Sequence, residues 1–187
     1  MSIASIALPR ILRIGGGASR QLPDVLATLG LSRPLIVTDA FLVGQGRVET
    51  LQGSLNAAGI ASRIFDGTVP DPTVASIEAG LAFLREGDHD CVVGFGGGSP
   101  LDSAKAIAML ARHGGAMADY KAPHVQDEPG LPVIAIPTTA GTGSEATRVT
   151  VITDETTDEK MMCPGLAYLP VAALVDYELT FTQPRRL

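Results

Sequence analysis

CVVGFGGGSPLDSAKAIAMLA, residues 91–111, decides the fold. Cys91 to Phe95 is apolar throughout, as a central strand of a parallel sheet covered on both faces should be. Three glycines follow, and then Ala104, Ile107, Ala108 and Ala111 recur at helical spacing. The segment reads as a strand, a tight glycine turn and a helix. Gly96, Gly97 and Gly98 let a backbone come close to a ligand without Cβ obstruction. Ser99 is expected as the helix N-cap, Pro100 as the first helical residue and Asp102 as the partner in a capping-box arrangement. Such a helix start presents free N–H groups and a positive dipole end, which suits a pyrophosphate. The same residues also fit a ligand-free turn. They match neither the GxGxxG fingerprint nor a Walker A loop that Lys105 would complete.

The rhythm continues in both directions. Ile3 to Ile14 reads as two short strands broken at Pro9, forming an N-terminal β-hairpin. Leu22, Val25, Leu26 and Leu29 make one helix face, and Gly30 stops it. Leu35 to Thr38 is a short buried strand ending at Asp39. Val48, Leu51, Leu55 and Ala58 give the next helix, Ile60 to Phe65 a strand, and Val74, Ile77, Leu81 and Leu84 another helix. Beyond the glycine turn, Val133 to Ile136, Val149 to Thr153 and Ala172 to Val175 are strand-like, and residues 115–130 read as a surface loop. This alternation predicts an α/β, Rossmann-like domain over residues 1–187, with a largely parallel sheet flanked by helices and right-handed crossovers.

Composition narrows the function classes. Of the 187 residues, 45% are hydrophobic and 18% charged, which excludes global disorder. Aromatics are only 4% and Trp is absent, so Leu, Ile, Val and Ala must build the core. The net charge of −6, without a basic stripe, argues against nucleic acid as a partner. No apolar run reaches the length of a membrane span, and the N-terminus has no secretory pattern. Cys91 and Cys163 read as ordinary reduced thiols, so a cytoplasmic location is expected.

Two further features have chemical content. IPTTAGTGSEAT, residues 136–147, sets Thr138, Thr139, Thr142 and Ser144 around Gly141 and Gly143. Such a loop can wrap sugar hydroxyls and an amide, or satisfy its own backbone. Asp39, at a strand end, can accept hydrogen bonds from the adenosine ribose of NAD and repel the extra phosphate of NADP, or simply cap a turn. His89, His113 and His124 are dispersed and lack metal-ligand spacing, so they read as surface residues.

GGGSPLDSAKAIA, PTTAGTGSEAT, VPDPT at 69–73 and LVDYELT at 174–180 occur in one order and together resemble the iron-containing (group III) alcohol dehydrogenase family. The resemblance runs from about Ile11 to Leu187. It implies an N-terminal NAD-binding α/β domain followed by an all-helical domain holding a divalent metal. Carried over by position, Asp39 contacts the adenosine ribose, and Gly97, Gly98 and Ser99 cradle the pyrophosphate; Gly96 and Asp102, from the glycine turn and the capping-box reading, are counted with them as cofactor-binding. Thr138, Thr139 and Thr142 line the ribose and nicotinamide side. Asp71 lies near the cofactor, Lys160 near the nicotinamide ribose, and Leu179 packs on the cofactor. Tyr177 departs from the family's usual Pro. The chain stops at Leu187, before the Asp and three His that hold Fe²⁺ or Zn²⁺ in the family, so neither metal ligands nor catalytic residues are expected in it. The implied full-length enzyme transfers hydride between a small alcohol and NAD, and the isolated chain is expected to bind NAD without turnover. A homo-oligomer is expected, through an edge strand or the face left by the missing domain. A glycerol dehydrogenase or dehydroquinate synthase-like enzyme, and a stand-alone nucleotide-binding module, stay open as alternatives.

Overall fold

The computed structural model describes residues 6–181 and Gln183. Six parallel strands form the central sheet: β1 (Ile11–Ile14), β2 (Pro34–Val37), β3 (Arg63–Phe65), β4 (Cys91–Gly96), β5 (Val133–Pro137) and β8 (Ala172–Val175). Their spatial order is β1-β8-β5-β4-β2-β3. The chain runs from β2 outward to β3 and returns to β4 on the other side of β2, so the order reverses between β2 and β4. In doubly wound sheets, ligands bind at the carboxyl ends of the strands at such a reversal.

The inner strands are apolar at every position because both faces are covered. Along β4, Val92 faces one core, with Ile77, Leu81 and Ile107; Cys91, Val93 and Phe95 face the other, with Leu22, Leu26, Val48 and Leu55. The first core lies under α4 (Val74–Arg85) and α5 (Gly98–His113), and the second under α1 (Leu22–Leu29) and α3 (Arg47–Ala57). A five-residue helix, α2 (Ala40–Gly44), follows β2. Each fully buried Leu or Ile contributes ~1.5–3 kcal/mol, so aliphatic side chains carry most of the two cores, with Phe65, Phe95 and Tyr168 packed among them. Close approach is part of this packing. A Cβ on Gly94 would stand 3.0 Å from Ala104 Cβ, which brings α5 down onto β4.

Two local expectations are corrected. Ile11–Ile14 is no hairpin arm: β1 pairs in parallel with β8, a partner about 160 residues away, in register Ile11 with Ala172 to Ile14 with Val175. The first half of the expected hairpin lies partly outside the described residues, and Ile6 to Arg10 form no strand. The hairpin in this protein is elsewhere. β6 (Val149–Asp154) and β7 (Glu159–Pro164) pair antiparallel as a separate ribbon beside α5. Residues 115–130 are mostly exposed, yet Ala122 N donates to Met162 O (2.8 Å) and Gln126 N to Pro164 O (2.9 Å), fastening this loop along β7. Ser99 does not cap α5. Gly97 takes the N-cap position with extended backbone, its carbonyl accepts from Leu101 N, and the helix begins two residues earlier than the Ser-Pro-x-Asp pattern suggests. Pro100 then falls inside the first turn, where its missing N–H removes no helical bond.

Candidate functional site

A cleft of about 570 Å³ opens at the carboxyl ends of β2, β4 and β5. One wall comes from the segment after β2, with Asp39, Phe41 and Leu42. A second comes from Thr68, Val69 and Pro70 after β3. The floor is the start of α5, with Gly97, Ser99 and Pro100, and Thr138 and Thr139 after β5 close it. Hydrogen bonds fix these strand ends to one another. Thr138 N donates to Gly96 O (2.9 Å), and Thr68 Oγ1 donates to Thr38 O (2.6 Å).

The α5 start has no side-chain cap and no acidic residue in its first turn. Its leading N–H groups and positive dipole end therefore remain available to an anion. Glycine is required at position 96, and Gly97 and Gly98 are closely packed. Gly96 has φ 150°, and a Cβ there would stand 2.6 Å from Pro100 Cγ. A Cβ on Gly97 would lie 3.3 Å from Thr139 Oγ1, and one on Gly98 would lie 3.2 Å from Thr142 Cγ2. The Gly-rich and Thr-rich turns are thus packed directly against each other.

Asp39 plays the local role as well as standing in the cleft. It is the N-cap of α2, and its Oδ1 accepts from Leu42 N (2.9 Å). Gly98 and Thr142 sit immediately behind the floor rather than on it. Asp102 is further removed. Its Oδ2 accepts from Val151 N (3.0 Å) and its Oδ1 lies 3.8 Å from Lys105 Nζ. The carboxylate therefore braces the β6–β7 ribbon instead of forming a capping box. Burial raises its pKa, and the Lys105 ammonium pulls it partly back.

Asp71 and Lys160, expected separately near a cofactor, meet each other. Lys160 Nζ is 2.9 Å from Asp71 Oδ1, with both side chains well exposed and neither lining the cleft. Asp71 holds φ 51°, a left-handed conformation that non-glycine residues other than Asn and Asp seldom adopt. Leu179 packs against the core under α1 and α3, and its carbonyl accepts from Arg47 Nη1 (2.9 Å). It lines an adjoining pocket of about 160 Å³, and Arg47 lines both that pocket and the main cleft.

Several cleft residues carry no sequence signal: Phe41, Gln45, Arg47 and Gln183 lie outside any motif. Thr68 could have been found, because it directly precedes VPDPT. The histidines have structural partners. His113 Nε2 lies 3.1 Å from both Glu128 O and Pro129 O, and His89 Nδ1 is 3.3 Å from Arg33 O; both are partly buried, unlike exposed His124. Among the described residues, no three His, Cys, Asp or Glu converge on a metal site.

Comparison with known proteins agrees with this geometry. The family pattern described as iron-containing alcohol dehydrogenase matches residues 9–177. Long-chain-alcohol dehydrogenase 1 of Geobacillus thermodenitrificans is 40% identical over 190 residues, covering 100% of this chain and 48% of that protein. A solved 1,3-propanediol oxidoreductase superposes with a TM-score of 0.93 at 33% identity, over 98% of this chain and 48% of its own. Sulfoacetaldehyde reductase from Bifidobacterium kashiwanohense, solved in complex with NAD⁺, gives 0.90 at 33% identity, over 98% of this chain and 49% of its own. The chain spans about half the length of the curated relatives it matches. It belongs to the iron-containing alcohol dehydrogenase family, and its Rossmann-like domain matches about half the length of these solved structures.

Proposed function

From that membership, we propose that the cleft binds NAD and that this chain is the nucleotide-binding part of an oxidoreductase acting on a small alcohol and its aldehyde. One observation carries the reading: the uncapped start of α5, with Gly97 at the floor of a cleft whose far wall ends in Asp39. The N–H groups of that first helical turn hold the diphosphate, and Ser99 adds a hydroxyl to the same wall. Asp39 accepts from the adenosine ribose with the carboxylate oxygen that does not cap α2, and its charge opposes a 2′-phosphate. Thr138 and Thr139 face the second ribose, and Phe41, Val69 and Pro70 offer apolar surface to the adenine. Gly96, Gly98 and Thr142 give the cradle its shape from behind, while Asp71, Lys160 and Leu179 make contacts at its margins. When bound, NAD supplies the hydride acceptor.

The family is described as iron-containing, and among the described residues no three His, Cys, Asp or Glu converge. Among the described residues, no helix is long and apolar enough to cross a membrane. Both cysteines are free and buried, which supports a reducing, cytoplasmic setting. Leu12 and Ile14 are 45% and 69% exposed on the sheet's edge strand β1, which supports self-association there, read by a concentration series in analytical ultracentrifugation.

Calorimetric titration tests the cofactor. NAD⁺ should bind and NADP⁺ should bind more weakly, with Asp39→Ala narrowing the difference. Equal or tighter NADP⁺ binding by the unsubstituted chain would refute the assignment of Asp39. Incubation of the 187-residue chain with a primary alcohol, NAD⁺ and Fe²⁺ should give binding without turnover; robust NADH production would place the whole reaction in this chain.

A further inference from the structure

Lys105 is 1% exposed, and its ammonium lies inside the protein on α5, two turns from the helix start. It is held by three hydrogen bonds, to Val149 O (3.0 Å), Thr147 Oγ1 (3.2 Å) and Thr147 O (3.3 Å). Asp102 Oδ1 is 3.8 Å away, an ion pair too long for a hydrogen bond. Burying a cation is expensive unless it is fully paired. All three acceptors belong to one short stretch, where the chain leaving β5 through Thr138, Thr139 and Thr142 returns to enter β6. The outgoing end is fixed by the bond from Thr138 N to Gly96 O. Between the two ends, Gly141 and Gly143 take positive φ, and the loop's other hydrogen bonds include Ala146 N to Gly143 O (2.9 Å), Ser144 N to Thr142 Oγ1 (3.4 Å) and Ala140 N to Gln183 Oε1 (3.2 Å).

We propose that Lys105 is a positioning residue: it pins the returning end of the 138–148 loop to α5 and thereby presses Thr139 and Thr142 against Gly97 and Gly98. It touches no ligand. Its effect on nucleotide binding rests on the cofactor reading above, whereas its effect on the loop does not. One helix then supplies both the diphosphate site, at its start, and the clamp on the loop that closes it. The pKa of Lys105 is pushed down to about 8 by burial, with Asp102 and Glu145 opposing. The group is therefore mostly charged at neutral pH, as the three acceptors require.

The test compares the unsubstituted chain with Lys105→Met and with the double variant Asp102→Asn/Lys105→Met. The second variant removes the buried carboxylate that the first leaves without its cation. Amide hydrogen exchange, without ligand, should speed up in residues 138–149 in both variants while β4 stays protected. Affinity for ADP-ribose and NAD⁺ should fall about tenfold, the scale of a lost preorganised contact, with adenosine binding changed less than twofold. Unchanged exchange in 138–149 in the folded double variant would overturn the proposal. So would an equal loss for adenosine and ADP-ribose, the mark of general destabilisation. If the unsubstituted chain binds neither NAD⁺ nor ADP-ribose, the cofactor reading and the effect on affinity fall together, and the exchange data still decide whether Lys105 pins the loop.

Discussion

Helices α4 and α5 lie side by side on the same face of the sheet, and their N-termini are treated in opposite ways. At α4, Thr73 Oγ1 accepts from Ser76 N (3.2 Å) and Ser76 Oγ accepts from Thr73 N (3.1 Å), a reciprocal capping box. The Glu155 carboxylate, on the turn of the β6–β7 ribbon, then accepts from Val74 N and Ala75 N, each at 3.1 Å. At α5 the N-cap is glycine, and no side chain supplies a cap. A third set of N–H groups, on Gly17, Ser19 and Glu178, converges on Asp176, which also accepts from Ser19 Oγ (2.6 Å). Where these amides serve only the fold, the protein provides its own carboxylate. Where it leaves them open, beside glycines and above a cleft, the proposed diphosphate would complete the turn.

The contrast can be broken by giving α5 the group it lacks. Gly97→Asp should satisfy the open amides and repel a diphosphate, lowering NAD⁺ affinity about a hundredfold while thermal stability holds or rises. Calorimetry and differential scanning fluorimetry on the same sample check both halves. Undiminished NAD⁺ binding would mean that the α5 start is not the anion site.

Removing an internal carboxylate sharpens the comparison from the other side. Burial alone would raise the pKa of Asp176, but its hydrogen bonds from Ser19, Gly17 and Glu178 outweigh burial and hold it below the usual 3.8. A depressed folded-state value means that the stabilisation is fully present above pH 3.8 and disappears as pH falls through the folded value. Asp176→Asn should therefore destabilise by about 2 kcal/mol near neutrality, with the difference from the parent closing in strong acid. Urea titrations at several pH values give the slope, and a pH-independent difference would show that packing rather than charge is lost.

The smallest effect belongs to the ordinary cap. Thr73→Ala should cost about 1 kcal/mol and leave NAD⁺ affinity unchanged. Weakened binding in that variant would show that α4 and α5 are not independent.

Much of this contrast was legible in the sequence. The apolar runs of β2, β4 and β5 and the helical spacing of α1, α3, α4 and α5 appear within a few residues of their positions, because burial on both faces leaves a continuous pattern. The parallel pairing of β1 with β8 was not legible, since that contact joins residues about 160 apart and the local alternation of Ile11–Ile14 suits either orientation. Ser99, Pro100 and Asp102 all carried cap signals. The backbone bond from Leu101 N to Gly97 O shows that the helix starts earlier. Asp39, Gly97, Ser99, Thr138 and Thr139 do meet in one cleft. Asp71 and Lys160 instead pair with each other, a contact that a separation of 89 positions conceals. Lys105 was read only as failing a phosphate-loop pattern, because nothing in a linear motif says that a lysine is buried.

Gly165 bears on how this protein would respond to saturation mutagenesis. It lies beyond β7 with φ 140°, and any Cβ there would overlap the backbone carbonyl of Gln126, where the 115–130 loop crosses. No side-chain rotation relieves a clash with main chain. A tolerance map scored by nucleotide binding would therefore mark Gly165 as intransigent as Gly97, although it contributes no group to the cleft. Intolerance at the first position records excluded volume and at the second an open amide, and only ligand affinity in the variants that still fold separates them.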